Sequence, residues 1–548
     1  MFATLADLGV RHVVVSPGAR NGPLSLAALG ESRLAVTIVL DERSAGFAAL
    51  GAAKSSGDPT AVVATSGSAG THYYPAVVEA RHARVPLLVV TADRPPELQG
   101  TGAPQTIDQH ELYGTMVKAF FDPGVPDDSA VAVAGDLAAA AFATAADGPA
   151  GPVHINVPLR EPLLGTAASP PAAAPRSVPA VNTLQPERLG ELAAELEGRN
   201  VIAVAGGHQR SGFGAAAALL GAATGIPLLA DVQCRYPGPA TVASGDLLAA
   251  AGWLEQTPPD VILRLGPIPT SKPLWQWIER SEISQPWVDD GGLGDPLHSA
   301  TAVYRADVTA TVAALAAGAA HQDSAWTDRW IYADEAAAQA ARAALADETF
   351  PNEPSIAATV AGAAVEPSIV YAGSSMPIRD LDTFAGTPRG PVRVLANRGA
   401  NGIDGLLSAA AGAALEGTRV YCLTGDVAAL HDVGALEWIG RHQLPVTVVV
   451  VNNDGGGIFH FLPQADPHVV PASDFTAVFA APHGRSLVPI AQALGIEART
   501  IEDREALRSE IAEPGAGPRV LEIHTDPTEN VAVHRRIRAA VGAALAQR

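Results

Sequence analysis

At 548 residues the chain is too long for a single hydrophobic core, so several domains are expected. A hydrophobic content of 48% excludes wholesale disorder, and no apolar run approaches the roughly 20 residues that span a bilayer, so no membrane insertion is expected. The formal net charge of −21 argues against nucleic acid as a partner.

Residues 1–165 alternate short apolar runs with helical patterns, the signature of a parallel sheet wrapped by helices. Strands are expected at 12–16 (HVVVS), 34–40 (LAVTIVL), 60–65 (TAVVAT), 86–91 (PLLVVT) and 152–157 (PVHINV), with helices at 42–54, 71–83 and 136–146. Residues 2–9 offer barely two helical turns before the first strand, consistent with an upstream start or a shortened chain. The stretch 165–185 is rich in Pro and Ala without periodicity, which places a first domain at 1–165 and a linker at 166–185.

A second α/β block covers 186–347, with strands at 201–205, 261–265 and 287–290, a helix at 212–224 and an Ala-rich helix at 333–346. The third block, 348–548, repeats the alternation, with strands at 368–372, 392–396, 419–423, 446–451 and 519–524 and helices at 405–415, 430–441, 486–494 and 530–546. The fold class is therefore α/β, with three doubly wound parallel-sheet domains. Cys234 and Cys422 lie far apart and match no metal-ligand spacing, which excludes a disulfide scaffold; with no signal segment at the start, a cytoplasmic location is expected. All but three of the 36 basic residues are arginine, the exceptions being Lys54, Lys118 and Lys272, a composition that fits GC-rich coding or adaptation to salt.

The chemistry concentrates where strands of the third block end. Residues 446–459 (VTVVVVNNDGGGIF) read as a buried parallel strand that stops abruptly in Asn452-Asn453-Asp454 and three glycines. The preceding strand stops in Thr424-Gly425-Asp426. An Asp426 carboxylate, an Asn453 amide and a backbone carbonyl turned inward by the glycines are hard oxygen donors, suited to a Mg²⁺ shared with a diphosphate. Either residue alone would read as a turn former. In the first block, Glu42 follows a strand and opens a helix, where an acid also complements the helix dipole. The lone histidines His72, His110, His431 and His460 read as structural or solvated.

Gly425-Asp426 followed one strand later by Asn452-Asn453 resembles the thiamine diphosphate motif, and the order of the three blocks resembles the decarboxylase-like members of the thiamine diphosphate-dependent enzymes. The resemblance implies pyrimidine-binding (PYR), central and diphosphate-binding (PP) domains in that order. It implies that Asp426, Asn453 and the carbonyl of Gly455 hold Mg²⁺, with Mn²⁺ as a substitute. It implies further that Ser66, Gly67, Ser375, Ile403, Gly425, Gly456, Ile458 and Phe459 touch the cofactor, Ile403 as an apolar wedge. Glu42 becomes the carboxylate that hydrogen-bonds the aminopyrimidine ring nitrogen and supports removal of the thiazolium proton. Because Glu42 and the metal ligands of one site come from different subunits in such enzymes, a homodimer or homotetramer with active sites at the subunit interface is implied.

A narrower resemblance is carried by Ser16-Pro17-Gly18-Ala19-Arg20, by 40–54 (LDERSAGFAALGAAK), by Thr65-Ser66-Gly67-Ser68-Ala69, by 91–98 (TADRPPEL), by 397–405 (NRGANGIDG) and by the GGGIF run. Together they resemble the menaquinone-pathway synthase family, MenD, whose product is 2-succinyl-5-enolpyruvyl-6-hydroxy-3-cyclohexene-1-carboxylate. That implies decarboxylation of 2-oxoglutarate and 1,4 addition of the succinyl carbanion equivalent to isochorismate. Two dianionic substrates then need local cations that override the net charge, and Arg20, Arg94, Gln105, Lys272, Arg379 and Arg398 are the substrate-binding candidates. Ala19, Asn21-Gly22 and Pro273 depart from the usual family pattern. The alternative is another thiamine diphosphate-dependent 2-oxo acid decarboxylase or carboligase.

Overall fold

Three sheets of six strands organise the chain in the computed structural model, which describes residues 1–127, 130–164, 181–207, 212–291, 294–318, 321–387 and 390–547. The first sheet contains β1 (His12–Val15), β2 (Ala35–Ile38), β3 (Thr60–Ala64), β4 (Leu87–Asp93), β5 (Phe120–Phe121) and β6 (Pro152–Pro158), in the order β2-β1-β3-β4-β6-β5. The second contains β7 (Val201–Ala205), β8 (Leu228–Ala230), β9 (Thr241–Val242), β10 (Val261–Leu265), β11 (Pro286–Asp289) and β12 (Ala302–Arg305), in the order β12-β11-β10-β7-β8-β9. The third contains β13 (Ser368–Ala372), β14 (Val392–Ala396), β15 (Arg419–Gly425), β16 (Val446–Asn452), β17 (Glu497–Thr500) and β18 (Arg519–His524), in the order β14-β13-β15-β16-β18-β17.

Strands β3, β4, β6, β7, β10, β13 and β16 are buried along their whole length, which is why they read as unbroken apolar runs: helices cover a parallel sheet on both faces. Every expected strand is present. The five that the sequence did not announce are either two or three residues long (β5, β8, β9) or part-exposed edge strands (β12, β17).

Four expected helices differ: those placed at 136–146 and 333–346 start earlier, as Ala130–Ala146 and Ser324–Asp347, and two others change form. The helix placed at 71–83 starts as a 3₁₀ turn, Gly67–Tyr73, and becomes α-helical over Tyr74–Ala83, where Pro75 sits in the first turn. The helix placed at 430–441 is split into Asp426–His431 and Ala435–Arg441. Its break lies at Asp432, whose buried carboxylate turns away to accept the backbone N–H of Ser408 at 2.7 Å, with Gly434 following. The linker at 166–185 falls mostly outside the described residues, and the helix Pro186–Leu196 begins directly after it.

Strand order fixes where a ligand can enter. Counted within each sheet, the first and third share the order 2-1-3-4-6-5, so crossovers diverge between β1 and β3 and again between β13 and β15. The middle sheet runs 3-2-1-4-5-6 and diverges between β7 and β10. At each divergence the helices part and leave a crevice beyond the carboxyl ends of the strands.

The chain packs as two compact units, one of Met1–Ala180 with Asn397–Val420 and Ala428–Val446, the other of Val181–Ala396, Tyr421–Val427 and Thr447–Arg548. In the first unit the helix Glu42–Ser56 lies against the helix Leu406–Ala413. Glycine makes that approach possible: a Cβ on Gly51 would sit 1.8 Å from the Ala409 carbonyl oxygen, and one on Gly412 would sit 2.0 Å from that of Ala48. Neither backbone can yield without separating the helices.

Gly51→Val is therefore expected to destabilise the protein by about 1–3 kcal/mol or more. Gly190→Ala, on the exposed face of a helix with nothing near its Cβ, is expected to be neutral or to stabilise by about 0.5–1 kcal/mol. Thermal melts of the two variants check the contrast, and equal melting temperatures would contradict it.

Candidate active site

In the first unit the loop after β1 is pinned to the end of β3. Ser16 donates its N–H to the Val63 carbonyl at 3.0 Å, and a Cβ on Gly18 would strike Thr65 at 2.4 Å, so only glycine fits. Arg20 is 4% exposed; its Nη1 donates to the Leu159 carbonyl at 2.9 Å and its Nη2 to Glu161 at 3.3 Å. Its Nε is buried with no hydrogen-bond partner among the described residues, a donor that suits an anion.

The segment after β3 meets the segment that carries Gln105. Ser66 Oγ donates to the Gln105 carbonyl at 3.1 Å, and Gln105 Nε2 donates to the Ser66 carbonyl at 3.2 Å. Gly67 has φ +82°, and a Cβ there would lie 2.8 Å from Gln105 Cγ. Arg94, just past β4, reaches the Pro104 carbonyl at 3.3 Å through Nη2, and its Nε is also buried and unpartnered among the described residues. Ser66, Gly67, Gln105 and Arg94 are thus brought together.

Glu42 is the first residue of the helix Glu42–Ser56, following β2. The helix does not need it as a cap, because Asp41 accepts the N–H groups of Arg43 at 2.8 Å and Ser44 at 3.4 Å. Glu42 lies within electrostatic reach of Tyr73, whose hydroxyl donates to Ser16 Oγ at 3.2 Å. Burial, with the Glu42 charge adding to it, holds the Tyr73 hydroxyl far above its ordinary range. Arg398, exposed, and Ile403, half-buried, lie on the loop after β14.

In the second unit Lys272 is exposed at the start of the helix Lys272–Arg280, past β10, where Ser271 caps the helix by accepting the Leu274 N–H at 3.2 Å. Past β13, Ser375 stands at the start of the helix Met376–Phe384, and Arg379 Nη1 donates to the carbonyls of Ser374, at 2.8 Å, and Ser375. Those two predicted residues are in direct contact.

β15 and β16 are neighbours, and their ends converge. Nothing lies within 4 Å of where a Cβ on Gly425 would point, which leaves open space beside Asp426. Asp426 is 1% exposed: Oδ1 accepts the Val427 N–H at 2.7 Å, and Oδ2 accepts the Gly455 N–H at 2.9 Å and faces His483 Nε2 at 3.0 Å. Burial raises its pKa above the ordinary carboxylate value, with those hydrogen bonds opposing. Asn453 donates through Nδ2 to Glu353 Oε1 at 2.8 Å, which leaves its Oδ1 buried and unpartnered among the described residues.

The glycines hold this geometry by backbone contact. Gly455 has φ +140°, and a Cβ there would sit 1.9 Å from the Ala480 carbonyl oxygen; on Gly456 it would sit 2.2 Å from that of Phe479. The Gly455 carbonyl accepts the Gly457 N–H at 3.0 Å and keeps a second lone pair. Ile458 and Phe459 follow in a 3₁₀ turn, with the Phe459 ring edge-on to Phe479 at 5.5 Å between centroids. One carboxylate, one free amide oxygen and one carbonyl form a hard donor set that fits Mg²⁺ or Mn²⁺. Among the described residues no group of three or more His, Cys, Asp or Glu offers a rival metal site.

Two residues of this neighbourhood escaped the sequence reading. Glu353 is fully buried, its pKa pushed up to about 8 by burial and then by Asp380, and it fixes which way the Asn453 amide points. His483 faces Asp426, and its backbone N–H, like that of Gly484, is accepted by Asp454. Neither carries a local signal: Glu353 reads as a helix first-turn acid and His483 as part of a loop.

Residues 1–112 match the family described as thiamine pyrophosphate enzyme, N-terminal TPP binding domain, and residues 385–523 match its C-terminal TPP binding domain. Proteins named 2-succinyl-5-enolpyruvyl-6-hydroxy-3-cyclohexene-1-carboxylate synthase are similar over nearly the whole chain. The one from Myxococcus xanthus is 42% identical, over 98% of this chain and 96% of its own. That from Halobacterium salinarum is 40% identical, over 95% and 94%, and that from Geobacillus thermodenitrificans 39%, over 97% and 93%. An X-ray structure described as a thiamin diphosphate-dependent enzyme from Mycobacterium smegmatis superimposes with a TM-score of 0.70 over 96% of this chain and 98% of that one, at 19% identity, and so shares the fold.

If Glu353 orients Asn453 Oδ1, Glu353→Leu should weaken divalent-cation binding about tenfold or more, whereas Glu353→Gln, which keeps an acceptor oxygen, should retain it. Calorimetric titration with Mn²⁺ checks this; equal affinity in Glu353→Leu and the parent would contradict the orienting role.

Proposed function

The chain belongs to the family of 2-succinyl-5-enolpyruvyl-6-hydroxy-3-cyclohexene-1-carboxylate synthases, and on that membership we propose that it is a Mg²⁺-dependent transferase of menaquinone biosynthesis. It decarboxylates 2-oxoglutarate and joins the remaining succinyl unit to isochorismate in a 1,4 addition. Support comes from one observation above the rest: Asp426 and Asn453 end adjacent strands beside open space, with the buried Asn453 Oδ1 unpartnered among the described residues.

Thiamine diphosphate, when bound, supplies a carbon that takes up the electron pair released as CO₂ leaves a 2-oxo acid. Asp426, Asn453 and the Gly455 carbonyl would hold Mg²⁺, or Mn²⁺ in its place, which would supply positive charge for the diphosphate. Gly425, Gly456, Ile458, Phe459 and Ser375 would contact the diphosphate end of the cofactor. Glu42 would share a proton with the aminopyrimidine ring nitrogen, and Ser66, Gly67 and Ile403 would contact that ring.

The remaining candidates bind carboxylates. Arg20 and Arg94 each keep a buried Nε donor free among the described residues, and Gln105 is tied to the same segment as Arg94. With Arg398, Arg379 and Lys272 they offset a chain charge of −21 that would otherwise repel two dianions. Bidentate guanidinium pairing also orients the substrates.

The proposed domains are pyrimidine-binding at 1–165, central at 186–347 and diphosphate-binding at 348–548, joined first by the linker 166–185. Each proposed domain contains one six-stranded sheet. The proposed assembly is a homodimer or homotetramer with active sites at the subunit interface, in the cytoplasm. No described helix is long and apolar enough to cross a membrane.

Glu42→Gln should abolish turnover while thiamine diphosphate still binds, as read by steady-state rates beside calorimetry; near-normal turnover would remove Glu42 from its role. Asp426→Ala should lose Mg²⁺-dependent cofactor affinity, and an unchanged calorimetric affinity would refute the metal site.

A further inference from the structure

Only three lysines occur in the chain, and one of them is placed where a lysine is least comfortable. Lys54, near the end of the helix Glu42–Ser56, and Glu79, on the helix Tyr74–Ala83, form an ion pair at 3.0 Å with both side chains 0% exposed. Burial presses the Lys54 pKa down against the attraction of Glu79. A surface salt bridge would hold the same helices without desolvating two charges, so stability alone is a weak reason for a buried one.

The pair is hydrogen-bonded to the loop after β14. Lys54 Nζ donates to Asn397 Oδ1 at 2.9 Å. The Glu79 carboxylate accepts three successive backbone N–H groups, from Gly399 at 3.0 Å, Ala400 at 2.8 Å and Asn401 at 3.0 Å. Backbone N–H groups converging in this way form a nest for an anion, and here the anion is a side chain of the protein. Gly399 rests directly on the Glu79 helix: a Cβ there would sit 2.6 Å from the Ala83 nitrogen and 2.9 Å from the Glu79 carbonyl oxygen. The loop is closed at its far end by Asn401, which accepts the Asp404 N–H at 2.9 Å and donates to the Asp404 carbonyl at 2.8 Å. Arg398 and Ile403 therefore project from a backbone whose shape is moulded on one buried carboxylate.

We propose that Glu79, held in place by Lys54, is a positioning residue that sets the conformation of the 397–405 loop and so aims Arg398 at its substrate carboxylate. This deepens the proposed synthase reading and rests on the assignment of Arg398 to substrate. Glu79 touches neither substrate nor cofactor in this proposal; it acts through the loop.

The test compares the full-length enzyme with Glu79→Gln, Arg398→Ala and the double variant. Steady-state kinetics with 2-oxoglutarate and isochorismate are paired with hydrogen exchange of peptides covering 397–405. Glu79→Gln should accelerate exchange across that loop about tenfold or more and raise the KM for one substrate about tenfold, with kcat changed far less. Because Arg398 is already misdirected in Glu79→Gln, adding Arg398→Ala should raise that KM further by less than about threefold. Unchanged loop exchange in Glu79→Gln, or kinetic effects that multiply in full, would overturn the positioning role. Should Glu79→Gln fail to fold, Asn397→Ala removes the hydrogen bond between Lys54 and the loop and should shift exchange and KM in the same direction; parental values for both would overturn the proposal. Failure of the underlying reading shows separately, as an Arg398→Ala enzyme with both KM values unchanged.

Discussion

The residues assigned to substrate, cofactor and metal lie past the carboxyl end of a strand bordering, or next to, a point where parallel crossovers diverge. The constraint is geometric. A parallel sheet buried on both faces has no exposed face to offer a ligand, so polar chemistry is confined to strand ends, and helices part there only where the winding direction reverses. Ser16 and Arg20 follow β1, Ser66 and Gly67 follow β3, Ser375 follows β13, Asp426 follows β15 and Lys272 follows β10. The first and third sheets share one strand order, so the same geometry is used twice, once beside Glu42 and once beside the proposed metal ligands.

Confinement to strand ends makes the electrostatics local. A chain with a net charge of −21 attracts dianions only where guanidinium groups are held with donors unspent, and holding them requires burial. Arg20 meets both conditions: one terminal nitrogen is anchored on the Leu159 carbonyl, while Nε is buried and unpartnered among the described residues. Asn453 follows the same logic with opposite sign, its amide fixed through Nδ2 by Glu353 so that Oδ1 remains available to a cation. In each case a neighbouring residue uses part of the side chain's hydrogen-bonding capacity and thereby aims the rest.

Much of this was legible in the sequence because buried parallel strands are written as β-branched runs and ligand-bearing strand ends interrupt them with Asp, Asn and Gly. Residues 446–459 announce both features at once. Short or part-exposed edge strands such as β5 and β17 carry too few buried residues to leave a pattern, and the break at Asp432 depends on Ser408, which is distant in sequence. The supporting residues were hidden for a different reason. Glu353, Glu79 and Lys54 sit on helices, where an acidic or basic residue reads as solvated, and only the fold reveals that each is buried against a segment carrying candidate site residues. Family resemblance proposes residues for substrate, cofactor and metal; Glu79 and Glu353, which support them through one intervening contact, lie outside the motifs that carry the resemblance, and Lys54 lies inside one without its partner being legible.

The proposed synthase activity is open to a test on the whole reaction. The direct measurement is consumption of isochorismate by the purified protein in the presence of 2-oxoglutarate and Mg²⁺, with and without added thiamine diphosphate, with CO₂ release followed in parallel. Equimolar loss of isochorismate and release of CO₂, both dependent on thiamine diphosphate, are expected. Release of CO₂ from 2-oxoglutarate with isochorismate left intact, or no reaction of either, would contradict the proposed activity.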